Sequence, residues 1–378
     1  MQFIDLAAQQ QRIRQRIDAR IAAVLDHGNY IMGPEVAELE DGLAAFCGAM
    51  HCISCANGTD ALQLALMALN IGSGDAVFVP SFTFAASAEV VPFVGATPVF
   101  VDIDLETYNM SVESLQNAVG VARQMGLRPA AVMPVDLFGR PADYDRITEV
   151  TKSEGMALIC DSAQGWGARY KGQVTGSIGD ITTTSFFPAK PLGCYGDGGA
   201  IFTDDPEIAA VIDSYRVHGK GTEKYDNVRV GMNSRLDTLQ AAILLEKLAI
   251  YGDELEKRDS IARRYTAALS EQFIVPQIPD DLRSTWAQYT IRVGSEAQRA
   301  RVQAALGDAG IPSAIYYPKP LHQQTAYRDF PCDPKGLKNS EIAAARVFSV
   351  PMSPYLTEAD QDKVIAVLKS LRLNDTPG

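Results

Sequence analysis

Lys190 stands between two prolines in Ser185-Phe-Phe-Pro-Ala-Lys-Pro-Leu-Gly-Cys-Tyr-Gly-Asp-Gly-Gly-Ala200, directly after the β-branched run 181–184. Pro188 and Pro191 fix φ on either side, and the glycines beyond let the backbone pass close to something bulky, so the ammonium is aimed. An aimed lysine suits a Schiff base with a carbonyl, or a phosphate contact. A lone lysine in a glycine loop otherwise sits in water, so the rest of the chain has to decide.

Four further elements would serve one aromatic, phosphorylated, aldehyde-bearing small molecule. Gly58 and Thr59 open a helix after Asn57, where free backbone N–H groups and the dipole favour a phosphate. Ser185, five residues before Lys190, offers a hydroxyl to the same anion. Phe84 lies just beyond a strand end and could stack on a ring, although read alone it fits a core position better. Asp161 ends the apolar run Met156-Ala-Leu-Ile-Cys160, at the sheet edge where open α/β folds bind ligands. Alone it could equally cap the next helix.

These side chains need a scaffold that gathers strand ends. Short β-rich runs at 76–80, 98–103, 131–135, 157–161, 181–186 and 200–203 alternate with helical patterns. That alternation predicts an α/β fold with a mostly parallel central sheet and helices on both faces. Leu62, Ala65, Leu66 and Leu69 form an i, i+3, i+4, i+7 stripe after Gly58. Ser234 and Asp237 have capping-box spacing, predicting a long helix from Ser234 through Leu239, Ile243, Leu244, Leu248 and Tyr251. Beyond it, Ala287, Tyr289, Ile291 and Val293 alternate as on a strand, a polar helix runs to Gly310, and Thr357 with Asp360 starts a terminal helix. The reading is a large unit at 1–250 and a smaller α+β unit at 251–378, with a disordered tail at 374–378.

With 378 residues, 47% hydrophobic and 21% charged, a sizeable core is available, and the net charge of −12 disfavours nucleic acid and anionic membranes. The amino terminus lacks a signal-peptide pattern and no 18-residue apolar run occurs, so a cytoplasmic protein is expected. Six scattered cysteines make no disulfide framework. Cys52 and Cys55 read as one strand, where residues three apart point to opposite faces, so buried thiols are expected there. The four histidines lie far apart, and no structural metal is expected.

In this setting the chain resembles the sugar aminotransferases of the DegT/DnrJ/EryC1/StrS family, pyridoxal 5'-phosphate enzymes of fold type I, the aspartate aminotransferase fold. The likeness runs through Phe3-Ile-Asp-Leu6, Gly33-Pro34-Glu35, Asn57-Gly-Thr-Asp-Ala-Leu62, Gly196-Asp-Gly-Gly-Ala200, Asn233-Ser-Arg-Leu-Asp-Thr-Leu-Gln-Ala-Ala242 and Tyr317-Pro-Lys-Pro-Leu-His322. The resemblance implies that Lys190 forms the Schiff base, Asp161 pairs with the pyridinium nitrogen and Gln164 contacts the ring hydroxyl. It implies a phosphate site of Gly58, Thr59 and Ser185, with Phe84 stacked on the ring. Asn233 would complete that site in a neighbouring subunit, which makes a homodimer with shared active sites. The implied reaction moves an amino group from L-glutamate to a nucleotide-linked keto-sugar.

Within the family, the chain is most similar to the branch that aminates C3 of a UDP-linked 2-acetamido-3-oxo-glucuronate for surface polysaccharide (O-antigen). Arg235 would then hold the substrate carboxylate in two-point geometry. Tyr316 and Tyr317 would contact the sugar nucleotide, with Tyr30 and His322 as further candidates. Ala189 and Tyr316 depart from that branch's usual serine and histidine, which leaves open other UDP-, dTDP- or GDP-linked 3- or 4-keto-sugars. Related sugar dehydratases carry histidine in place of Lys190, and a regulator that binds the cofactor without turnover would be marked by loss of Lys190 or Asp161. Both residues are present.

Overall fold

A computed structural model of the chain describes residues 1–223 and 225–372, so the expectation of a disordered tail at 374–378 lies outside the described residues. The first strands are β1 (His51–Cys55), β2 (Asp75–Pro80), β3 (Thr97–Val101), β4 (Arg128–Val132) and β5 (Ala157–Asp161). A short hairpin, β6 (Arg169–Tyr170) and β7 (Gln173–Val174), precedes β8 (Ile181–Ser185) and β9 (Gly199–Thr203). Seven of these make one sheet in the order β1-β9-β8-β5-β4-β2-β3. Pairing is parallel from β3 through β8, and β9 is antiparallel to both neighbours. β1 therefore runs in the same direction as β8, and its carboxyl end reaches the same edge.

Buried strands such as β2, covered at all six positions, require helices on both faces. One face carries α3 (Gly58–Ala68), α4 (Ala86–Phe93) and α7 (Pro206–Arg216); the other carries α5 (Val112–Gln124) and α6 (Tyr144–Glu154). The chain begins with α1 (Leu6–His27) and α2 (Pro34–Cys47), which pack on the long helix α8 (Thr238–Leu269).

The expected start of the long helix shifts. The long helix starts at Thr238 rather than Ser234, because Ser234 is buried and tied elsewhere, its N–H donating to the Arg216 carbonyl at 2.9 Å and its Oγ accepting the Ala56 N–H at 3.3 Å. Asp237 is the residue before the helix, and no side-chain cap bond forms. The helix also crosses position 250 without a break. Ala241, Leu244 and Tyr251 of its first half pack against α2 and the sheet, whereas Ala262, Tyr265 and Leu269 join a separate core. That second core contains the antiparallel pair β11 (Tyr289–Arg292) and β12 (Val347–Val350), following the two-residue β10 (Leu282–Arg283). It also takes residues from α9 (Glu296–Asp308) and α11 (Glu358–Ser370), with α10 (Lys338–Arg346) leading into β12. The strand expected to reach Val135 stops at Val132, since Pro134 offers no N–H, yet Val135 still bridges Asp161.

Cys52 and Cys55 sit on β1, Cys55 buried and Cys52 partly exposed, and all six cysteines are free. No helix among the described residues is long and apolar enough to cross a membrane.

Candidate active site

The sheet places the candidate residues by register. Gly199 pairs with Cys55 on one side and with Ser185 on the other, so the loop after β1 is brought across from the end of β8. The approach is tight enough to dictate glycine. A Cβ on Gly199 would lie 2.5 Å from the Asn57 carbonyl oxygen, and one on Gly58 would lie 2.6 Å from Ser185 Cβ. Asn57 caps α3 through Oδ1, which accepts the Asp60 N–H at 2.8 Å. The N–H groups of Gly58 and Thr59 have no acceptor among the described residues, and they open the helix beside the Ser185 hydroxyl. Backbone donors at a helix start beside a hydroxyl form a cradle for a phosphate.

Lys190 follows β8 on a tight turn. Its N–H donates to the Phe187 carbonyl at 2.8 Å, with Pro188 and Ala189 in the middle positions. The loop is held from behind: the buried Lys247 of α8 donates to Gly193 O at 2.5 Å and lies 4.3 Å from the Tyr195 ring centre, and Gln240 Oε1 accepts the Tyr195 N–H. The Lys190 ammonium has no hydrogen-bond partner among the described residues. Burial pulls its pKa below the ordinary lysine value, against the opposing charge of Asp161. An unpaired, proton-shedding amine is a nucleophile toward an aldehyde.

Asp161 ends β5 and is 4% exposed. Its Oδ2 accepts the Ser87 hydroxyl at 2.7 Å and its Oδ1 the Ala163 N–H at 3.1 Å. Burial pushes its pKa above the usual carboxylate value, while Ser87, the Ala163 N–H and Lys190 pull it back. Such a buried carboxylate, close enough to feel Lys190, suits a cationic ring nitrogen. No helix follows it; the next residues form a turn, so it caps nothing.

Gln164 is buried on that turn. Its Oε1 accepts the Phe138 N–H at 2.6 Å, its Nε2 donates to Tyr317 Oη at 3.2 Å, and its main-chain oxygen accepts the Thr285 hydroxyl at 2.5 Å. Phe84 is 57% exposed, with its ring 6.2 Å from that of Tyr317, so it is free to cover a ring instead of filling the core. Tyr316 is half-buried against Phe3 and Tyr317.

Other expected residues lie further out. Tyr30 is exposed, its carbonyl accepting the Thr238 N–H, which puts it beside the start of α8 near the half-buried Arg235. Asn233 is exposed and pairs with Val217. His322 Nδ1 meets Ser81 Oγ at 2.6 Å and its Nε2 meets Glu341 Oε1 at 3.1 Å, so the ring ties the loop after β2 to α10. Ser87, Phe138, Thr285 and Lys247, which hold the site in shape, carry no local sequence signal. Gly199 alone among such supports was visible, as one of a glycine pair.

The donor set fits a ring with an acidic nitrogen partner, a phosphate and an aldehyde, and the glycine cradle at Gly58 and Gly199 supports the phosphate end. Fold and site together define a pyridoxal-phosphate-dependent aminotransferase. The DegT/DnrJ/EryC1/StrS aminotransferase family model matches residues 11–369, and the chain belongs to that family. It is 48% identical over 369 residues to UDP-2-acetamido-2-deoxy-3-oxo-D-glucuronate aminotransferase of Pseudomonas aeruginosa, covering 97% of this chain and 99% of that one. A crystal structure of a DegT DnrJ EryC1 StrS aminotransferase from Brucella abortus superposes with a TM-score of 0.96 at 55% identity, covering 98% and 99% of the two chains. NtdA from Bacillus subtilis, with the cofactor PMP bound, gives 0.85 at 28% identity over 94% of this chain and 81% of that one.

The cradle yields a direct test. Gly58→Ala forces its new Cβ onto Ser185, an overpacking worth on the order of 1–3 kcal/mol. The expected result is a raised dissociation constant for pyridoxal phosphate with a smaller change in the melting temperature of the cofactor-free protein. Unchanged cofactor affinity would place the phosphate elsewhere.

Proposed function

We propose that the enzyme transfers the amino group of L-glutamate to C3 of a UDP-linked 2-acetamido-2-deoxy-3-oxo-glucuronate, in the cytoplasm, for surface polysaccharide synthesis. The observation that carries the substrate is the full-length likeness to the Pseudomonas aeruginosa enzyme, joined to a half-buried arginine, Arg235, two residues after Asn233. A homodimer with shared sites accounts for Asn233 and for the exposed apolar residues Tyr30, Ile31, Met32, Phe187 and Val230. Exposed apolar side chains of this size favour burial against a second copy.

When bound, pyridoxal phosphate supplies an electron sink that makes the Cα–H bond of an amine donor acidic. Gly58 and Thr59 N–H and the Ser185 hydroxyl grip the phosphate. Asp161, steadied by Ser87, keeps a proton on the ring nitrogen. Gln164, with its amide oxygen tied to Phe138, turns its nitrogen toward Tyr317 and the ring. Phe84 and Tyr317 wall the site against water. Lys190 Nζ takes the proton from the donor carbon and later delivers one to the sugar carbon that gains nitrogen. Arg235 anchors the sugar carboxylate.

The test is the purified protein with glutamate against UDP-, dTDP- and GDP-linked 3- and 4-keto-sugars, the uronate being expected to give the highest kcat/KM. Arg235→Ala should lower kcat/KM for the uronate by roughly 10- to 100-fold, as loss of a charged hydrogen bond of about 1.5–3 kcal/mol implies. A neutral keto-sugar should lose far less. Equal losses on both would remove the carboxylate contact.

A further inference from the structure

Behind the cofactor-facing turn lies a second carboxylate, Asp136, with no solvent exposure. Three donors converge on it. Oδ1 accepts the Tyr144 hydroxyl at 2.6 Å and the Ala142 N–H at 2.9 Å, and Oδ2 accepts the Ser162 hydroxyl at 2.5 Å. Ser162 is the residue next to Asp161. The main chain adds to the clamp: the Asp136 N–H donates to the Asp161 carbonyl at 3.0 Å, and the Asp161 N–H donates to the Pro134 carbonyl at 2.9 Å.

The far end of the same turn is pressed onto the same residue. A Cβ on Gly165 would fall 2.3 Å from Asp136 Cβ. Two residues past Asp136, Phe138 sits at φ 60°, and its N–H sets the orientation of the Gln164 amide. The 134–138 segment thus holds both Asp161 and Gln164, the two residues assigned to the ring. Asp136 has no ion-pair partner among the described residues. The titratable groups facing it are Tyr144 of α6 and Cys160 and Asp161 of β5.

We propose that Asp136 is a positioning residue whose buried carboxylate fixes the Asp161–Gln164 turn against the cofactor ring and adds negative potential behind Asp161. Burial pushes its pKa up, and the hydrogen bonds from Ser162, Tyr144 and Ala142 pull it back; three donors and no acceptor at its two oxygens suit the ionised carboxylate. A buried negative charge close to Asp161 favours retention of the ring-nitrogen proton and of the protonated Lys190–cofactor linkage. This inference rests on the assignment of the ring to Asp161 and Gln164.

The test uses the holoprotein and two readouts besides turnover: the dissociation constant for pyridoxal phosphate and the pH midpoint of the visible band of the Lys190-bound cofactor. Asp136→Asn keeps the shape and removes the charge. It is expected to raise the dissociation constant about tenfold or more, as loss of charge-assisted hydrogen bonds implies, and to move the midpoint to lower pH. A role as packing alone predicts a lower melting temperature with both readouts unchanged, and that result overturns the proposal. If Asp136→Asn does not fold, Ser162→Ala decides, since it removes only the bond to Oδ2. The same directions of change, of about threefold in affinity, support the proposal, and no change in either readout overturns it. Wild-type protein that shows no visible band with pyridoxal phosphate would instead count against the cofactor site itself.

Discussion

Lys190→Ala leaves a folded protein that still binds pyridoxal phosphate but no longer holds it covalently, with turnover lower by at least about 100-fold and up to about 10⁴-fold. Folding should survive, because the lysine side chain makes no hydrogen bond while its loop is fixed by other groups. Those are the Lys190 N–H to Phe187 O, the Cys194 N–H to Phe186 O at 2.8 Å, and Lys247 beneath Gly193. Gly193 itself is wedged, since a Cβ there would lie 2.5 Å from Phe187 O. The measurement is borohydride reduction followed by mass analysis, beside steady-state turnover. A variant that keeps substantial turnover, or a covalent adduct at another lysine, removes Lys190 from its role.

Asp161→Asn separates stability from catalysis. Loss of the charge at the ring nitrogen should lower kcat by roughly 10- to 100-fold, from a charged hydrogen bond of about 1.5–3 kcal/mol, with a smaller effect on KM for the sugar. The cofactor-free protein should behave oppositely. The folded pKa of Asp161 lies above its unfolded value, so the folded state holds its proton more tightly, and this group's contribution to stability declines as pH rises from the ordinary aspartate range through the folded pKa. Wherever this buried carboxylate is ionised in the cofactor-free fold, its burial is therefore a cost. The asparagine variant without cofactor should melt at the same temperature as wild type or higher. A large drop in that melting temperature would mean that Asp161 serves structure first.

The residues proposed to meet the cofactor stand out in the chain because each carries a local device. Lys190 has its flanking prolines, Gly58 its capping asparagine, and Asp161 its apolar strand. The supports were not readable, because each works through a contact made only by folding. Ser87 reaches Asp161 from 74 positions away, Thr285 reaches Gln164 from 121, and Lys247 reaches Gly193 from 54. The same cause misplaced the start of α8: Ser234 and Asp237 carry capping spacing, but Ser234 is drawn into the sheet side by Ala56. The contacts of His322 with Ser81 and Glu341 were hidden for a related reason, since nothing in its neighbourhood in the chain announces either residue. Phe84 read alone fits a core position, but it stands 57% exposed while Phe82, two residues earlier, is buried, which leaves it available to stack as the constellation of residues suggests.

The account is tested most directly by the visible spectrum of the purified holoprotein during addition of glutamate and then of the UDP-linked 3-oxo-glucuronate. It predicts that glutamate bleaches the band with stoichiometric release of 2-oxoglutarate, and that the keto-sugar restores the band while an amino-sugar forms. A band indifferent to glutamate and to every other amino donor would contradict it.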